Sequence, residues 1–84
     1  MTRYTVVLTD SARRDLERLD RSVARRIVAR LEDLQEDPLT KLGRLVNSPL
    51  YRLRVGHGRV IVEVDEREVR VSVIKVAHRR TVHR

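Results

Sequence analysis

The chain has 84 residues and a net charge of +7, with three histidines, two tyrosines and no cysteine, phenylalanine or tryptophan. That excludes a disulfide framework, a thiolate nucleophile, a zinc knuckle and a multi-aromatic platform for stacking bases, and leaves valine, leucine and isoleucine to build the core of one domain over residues 1–84. A polar N-terminal stretch and the lack of any long apolar run predict a cytoplasmic protein without a signal peptide or membrane span.

The basic excess is uneven. Residues 1–42 carry nine Lys+Arg against eight Asp+Glu, whereas residues 43–84 carry ten against four. Charge placed in one half of a chain points to a polyanion or an acidic protein as partner, where generic solubility would not need the asymmetry.

Arg3 to Leu8 alternates as a strand, with Tyr4, Val6 and Leu8 on one side. Thr9 reads as the cap of a helix from Asp10, with Ala12, Leu16 and Leu19 at helical spacing. Asp20 reads as the cap of a second helix, whose apolar stripe is Val23, Ile27, Leu31 and Leu34 and which Pro38 stops. So short a connection predicts an antiparallel helical hairpin with one shared apolar face. Pro38 to Pro49 reads as a loop, pinned by Leu39, Leu42 and Leu45.

Tyr51 to Val62, Y-R-L-R-V-G-H-G-R-V-I-V, is the informative stretch. Tyr51, Leu53 and Val55 fall on one side of a strand and Arg52 and Arg54 on the other. Gly56-His57-Gly58 reads as a turn, and a second strand starts at Arg59. Asp65 to Glu68 is a polar turn, and Val69 to Val76 a third strand that loses its alternation at Ile74-Lys75-Val76, the mark of a bulge or of burial on both faces. The fold class is α+β in the order β-α-α-β-β-β: a mostly antiparallel four-stranded sheet on an N-terminal helical hairpin, with the first strand at an edge beside the last.

Two guanidinium groups on one strand face repel each other and gain nothing from a core. Arg52 and Arg54 therefore bind an anion or stay solvated. Arg59 can join them, or can pair with Glu63 or Asp65. Arginine suits phosphate because its planar fork stays charged and binds two oxygens at once. Histidine suits proton transfer because imidazole changes charge near neutrality. RNA cleavage needs no metal when the 2′-hydroxyl attacks its own phosphate, provided that groups orient the attack, take the proton and hold the developing charge. The residues available are Arg59 and Arg79 for the scissile phosphate, Arg52 and Arg54 for holding it and its neighbours, and His83 as general base. Lys75, His78 and Arg80 are further RNA contacts, and His57 and His78 are secondary candidates for the acid. His57 also reads as a plain turn residue, Lys75 as a side chain snorkelling from the sheet, and the C-terminal arginines as a basic tail. No metal site is expected, since no cysteine or paired carboxylate completes one around His78 and His83.

With L-Y-R-L-R-V-G-x-x-R-V-I at its centre and V-x-H-R-R-x-V at its close, the chain resembles the RelE family of the RelE/ParE superfamily of toxins over nearly its whole length. The resemblance implies a ribosome-dependent endoribonuclease that needs no cofactor and cuts mRNA in the ribosomal A site. It also implies a RelB-like cognate antitoxin that wraps the toxin in a heteromeric complex. By position, Arg52 and Arg54 match the basic residues of the family's strand, Arg59 the arginine opening the next strand and Arg79 the arginine after the last. The family's C-terminal tyrosine position reads His83 here, and its aromatic before the strand arginine reads Gly58. Two other functions remain open: a ParE-like toxin acting on a topoisomerase, and a non-catalytic RNA- or ribosome-binding module.

Overall fold

The computed structural model describes residues 3–78. Its elements are β1 (Thr5–Leu8), α1 (Asp10–Glu17), α2 (Arg21–Asp33), α3 (Pro38–Lys41), β2 (Gly43–Arg44), β3 (Tyr51–Val55), β4 (Gly58–Asp65) and β5 (Arg70–His78). The expected α+β order is present, and the sheet has five strands in the order β1-β5-β4-β3-β2. β1 lies at an edge beside the last strand and runs parallel to it, while the remaining pairs are antiparallel. Among the described residues no helix is long and apolar enough to cross a membrane.

Thr9 does what its position predicts. Its hydroxyl accepts the Ala12 N–H at 3.2 Å, closing the first turn of α1, and donates to the Val73 carbonyl at 2.8 Å. One side chain thus ties the end of β1, the start of α1 and the middle of β5. Asp20 stands at the N-cap of α2 but its side chain makes no capping bond. α2 ends at Asp33, ahead of Pro38, and Lys41 completes its C-terminus by donating to the Asp33 and Glu36 carbonyls, both at 2.8 Å.

The segment read as a loop holds two short elements. Asp37 takes a left-handed φ of 55° and Pro38 opens α3 at its first helical position. Gly43 and Arg44 then pair with Arg52 and Tyr51, adding the fifth strand. The last strand begins one residue later than expected, because Val69 belongs to the preceding turn with φ 54°.

Ala12, Leu16, Ile27, Leu31 and Leu34 from the helical layer pack on Leu53, Val55, Val60, Val62, Val71, Val73 and Val76 of the sheet, all buried. Leu19 and Val23 are partly buried at the margin. Leu8 is 41% exposed, since β1 is an edge strand that ends there. At about 1.5–3 kcal/mol per fully buried aliphatic side chain, this single aliphatic layer is the main favourable contribution to the fold.

Candidate nucleic-acid interface

Alternation on β3 carries Leu53 and Val55 into the core and turns Arg52 and Arg54 outward. The turn that follows has two residues. Val55 pairs with Gly58 across it, and Gly56 takes the first central position with φ 58°, the pattern of a type II′ hairpin. Gly58 is the first residue of β4 and not part of the turn. A Cβ there would stand 3.1 Å from the Val55 carbonyl oxygen and 3.4 Å from Ile27 Cδ1, so the close carbonyl of the hairpin's own first strand, with α2 packed behind it, favours the glycine.

The register then places the cations. Gly43, Arg52, Ile61 and Lys75 form one cross-strand row on the outer face, and Arg54, Arg59 and Ala77 form the next. Arg54 and Arg59 are direct partners on neighbouring strands, about 5 Å apart at the backbone. Arg52 and Lys75 flank Ile61 from two strands apart, about 10 Å. The two rows are spaced by roughly 7 Å along β3. Arg54, Arg59 and Lys75 are exposed and Arg52 is half-buried; Ile61 and Ala77, both half-buried, form an apolar floor between them. The Arg52 guanidinium lies over Gly43 at the β2 edge, where a Cβ would be in ordinary contact with Nη2 at 3.4 Å.

The ion pairs among the described residues join Arg3 to Glu36 and Arg13 to Asp10, and none involves Arg52, Arg54, Arg59 or Lys75. The alternative pairing of Arg59 with Glu63, about 13 Å away along the strand, is not formed. Asp65 is farther along, and its Oδ1 accepts the Arg67 and Glu68 N–H groups of the β4–β5 turn at 3.1 and 3.0 Å. The carboxylates of β4 thus lie towards one end of the strand and its arginine at the other.

His78 is a correction. It was expected among the RNA contacts, but it is 7% exposed and stands on the inner side of β5, opposite Gly58. The bulge between Val73 and Lys75 reverses the alternation and sends Val76 and His78 inward. The ring of His57, exposed at the turn, meets that of His78 edge-on, with centroids 6.3 Å apart. Arg79, Arg80 and His83 lie outside the described residues.

Arg26 is exposed on α2, off the apolar stripe, and is not among the residues singled out from the sequence. Its guanidinium reaches the β3–β4 turn, where Nη2 would be 3.1 Å from a Cβ at Gly56, and so extends the basic surface around the hairpin tip. Helical periodicity carries no signal for this contact, which depends on where the turn is brought against the helix.

A family model described as the ParE toxin of type II toxin–antitoxin system, parDE, matches residues 6–83. Toxin RelG of Mycobacterium tuberculosis is 31% identical over 85 residues, covering 96% of this chain and 97% of that protein. A chain in the crystal structure of the M. tuberculosis toxin–antitoxin complex RelBE2 is similar with a TM-score of 0.84 and 29% identity, covering 92% of this chain and 99% of that one. The archaeal RelE–RelB complex from Pyrococcus horikoshii OT3 contains another, with a TM-score of 0.79, 26% identity and coverage of 94% and 97%.

Proposed function

The chain belongs to the ParE toxin family of type II toxin–antitoxin systems, within the RelE/ParE superfamily, and from that premise we propose that it is a ribosome-dependent endoribonuclease that cuts mRNA in the A site and is neutralised by a RelB-like antitoxin. The observation that carries this reading is the pair of cationic rows on the outer sheet face, in which Arg52, Arg54, Arg59 and Lys75 stand without an ion-pair partner among the described residues. A fold gains little from four such charges held together, and an RNA backbone gains much.

In this mechanism Arg52, Arg54 and Lys75 hold successive phosphates and fix the strand across the sheet. Arg59, with Arg79 beyond the last strand, stabilises the charge that builds on the scissile phosphoryl oxygens as the 2′-hydroxyl attacks. His83 takes the hydroxyl proton, the P–O5′ bond breaks to leave a 2′,3′-cyclic phosphate, and the departing 5′-oxygen takes a proton from water to become the 5′-hydroxyl; no cofactor is required because the nucleophile is internal to the substrate. The antitoxin inhibits by presenting an acidic amphipathic segment to the same face. A cytoplasmic location follows from the substrate.

The test is to map 5′-hydroxyl ends in mRNA after incubation of the protein with purified ribosomes. Wild type should generate discrete ends, and Arg79→Ala should not on the same timescale. A second reading, a toxin of the ParE kind acting on a topoisomerase, is favoured by the description of the matching family model. Toxicity on expression with no new ends on any ribosome would select it.

A further inference from the structure

β1 ends at Leu8, which pairs with Val73, so beyond Val73 the β1 side of β5 has no strand against it. Backbone groups left there need other partners, or the strand end is free to shift register. The bulge lies at this point. Val73 pairs with Val62 and Lys75 with Ile61, which leaves Ile74 as the extra residue. Simple alternation from the inward Val73 would send Lys75 inward and Val76 outward. The bulge reverses this: Lys75 is exposed on the outer face and Val76 is 4% exposed in the core.

α1 grips the bulge on both sides. Ahead of it, the Thr9 N–H and hydroxyl both donate to the Val73 carbonyl, at 3.1 and 2.8 Å. Behind it, Oδ2 of Asp15, half-buried on α1, accepts the Val76 N–H at 2.9 Å. A carboxylate accepting a backbone N–H is a charge-assisted bond, and here it takes the place of the missing strand.

We infer that Asp15 is a positioning residue: through the Val76 amide it holds the β5 bulge in register and so keeps Lys75 in line with Arg52 on the RNA-facing side of the sheet. The inference rests on the proposed RNA-binding role of that face. It also concerns an acidic residue that generic electrostatics would class as an opponent of RNA binding. Deleting Asp15 makes the protein more positive and on charge alone should strengthen binding. Loss of Lys75 from its row should weaken it.

The experiment measures the salt dependence of binding to a short single-stranded RNA with 2′-O-methyl sugars, which cannot be cleaved. Lys75→Ala should lower the log–log slope by about 0.7, the value for one lost phosphate contact on a single strand. Asp15→Ala should lower it by the same amount, and the double variant no further. Asp15→Asn, which retains an oxygen acceptor, should restore the wild-type slope. An unchanged slope in Lys75→Ala would overturn the role of Lys75 on the face and the inference with it. A lowered slope in Lys75→Ala with stronger binding or an unchanged slope in Asp15→Ala would overturn the positioning role alone. Amide exchange in the wild-type protein decides the contact even if Asp15→Ala does not fold: the Val76 N–H should be as protected as the paired amides of β5, and exchange at the rate of an open amide would refute it.

Discussion

Leu53 and Arg54 are neighbours on one strand, and the difference between them is the difference between the two faces of the sheet. Leu53 is 2% exposed in an aliphatic layer that any packed sheet requires. Arg54 is exposed, lies opposite another arginine and has no ion-pair partner among the described residues. The fold explains the aliphatic residues of the inner face, since burial rewards side chains of that kind and the right volume; the buried His78 is the exception there. Packing offers no reason for the outer one, and an anionic partner is the explanation that the proposed function supplies. The separation of stability from function by strand face implies that substitutions on the two sides fail in different assays.

The largest effect is expected inside. Leu31 is 3% exposed in the core that α1, α2 and the sheet share. Leu31→Ala should destabilise by about 2–5 kcal/mol in chemical denaturation, from lost burial plus the cavity left behind. The salt slope of RNA binding, measured where the variant is still folded, should not change. A stable Leu31→Ala protein would mean that α2 presents another side to the sheet.

Next comes the chemistry of the outer face. Arg59→Ala should slow single-turnover cleavage of ribosome-bound mRNA roughly 10²–10³-fold, as the loss of one oriented charge donor does at other sites where an oxyanion develops. Its folding stability should change by no more than about 1 kcal/mol, the most that relief of the cross-strand repulsion with Arg54 would add. Ribosome binding weakened by the same factor, with an unchanged rate at saturation, would make Arg59 a binding residue with no share in the transition state.

The inner face was the legible part of this fold. The Leu16, Ile27 and Leu31 spacing, the Thr9 cap and the alternation of β3 and β4 each had one physical reading, because burial and capping are local in sequence. The lapse at Ile74-Lys75-Val76 marked the bulge correctly. Its consequence for His78 was not legible, since a one-residue bulge reverses every side chain after it and the sequence left two readings of the lapse. The segment from Pro38 to Arg44 was missed because α3 and β2 are too short for either periodicity to register, and β2 exists only through its pairing with Tyr51 and Arg52. The parallel direction of β1 beside β5 depends on the path of the chain through both helices, which no residue pattern encodes. On the outer face, sequence put Arg52, Arg54 and Arg59 together through the hairpin, and only the register added Lys75 to the row of Arg52.

The two hairpin turns give a milder form of the comparison. The β3–β4 turn meets its left-handed position with Gly56 at φ 58°, whereas the β4–β5 turn does so with Val69 at φ 54°. A β-branched residue in that region carries about 1–2 kcal/mol of steric cost. Replacing it with glycine adds back roughly 0.5–1 kcal/mol of unfolded-chain entropy. These ranges leave up to about 1.5 kcal/mol, from which the lost burial of the half-buried Val69 side chain subtracts, so Val69→Gly should stabilise by less than that, read as a higher denaturation midpoint. RNA binding should be unaffected, because this turn is at the acidic end of β4, away from Arg59.

The smallest effect is also the most direct measure of what the outer face costs. Arg54 and Arg59 are cross-strand partners of like charge, and such pairs destabilise a ladder by roughly 0.2–1 kcal/mol relative to neutral ones. Arg54→Thr should therefore raise stability slightly at low salt, while lowering the RNA-binding slope by about 0.7 if Arg54 holds a phosphate. Threonine is also a better strand former than arginine, so the single variant alone does not isolate repulsion. A double-mutant cycle with Arg59→Thr does. Each replacement made second should gain less than the same replacement made first, since the repulsion is already gone. That coupling should fade as salt rises from about 0.01 M to about 1 M, where the screening length falls from about 30 Å to about 3 Å. A coupling that persists at high salt would trace to packing of the arginine stems over the sheet. A coupling near zero throughout would mean that the guanidinium groups splay apart in water, and then the free protein would hold no charge row ready for RNA, only two arginines that a partner must first bring together.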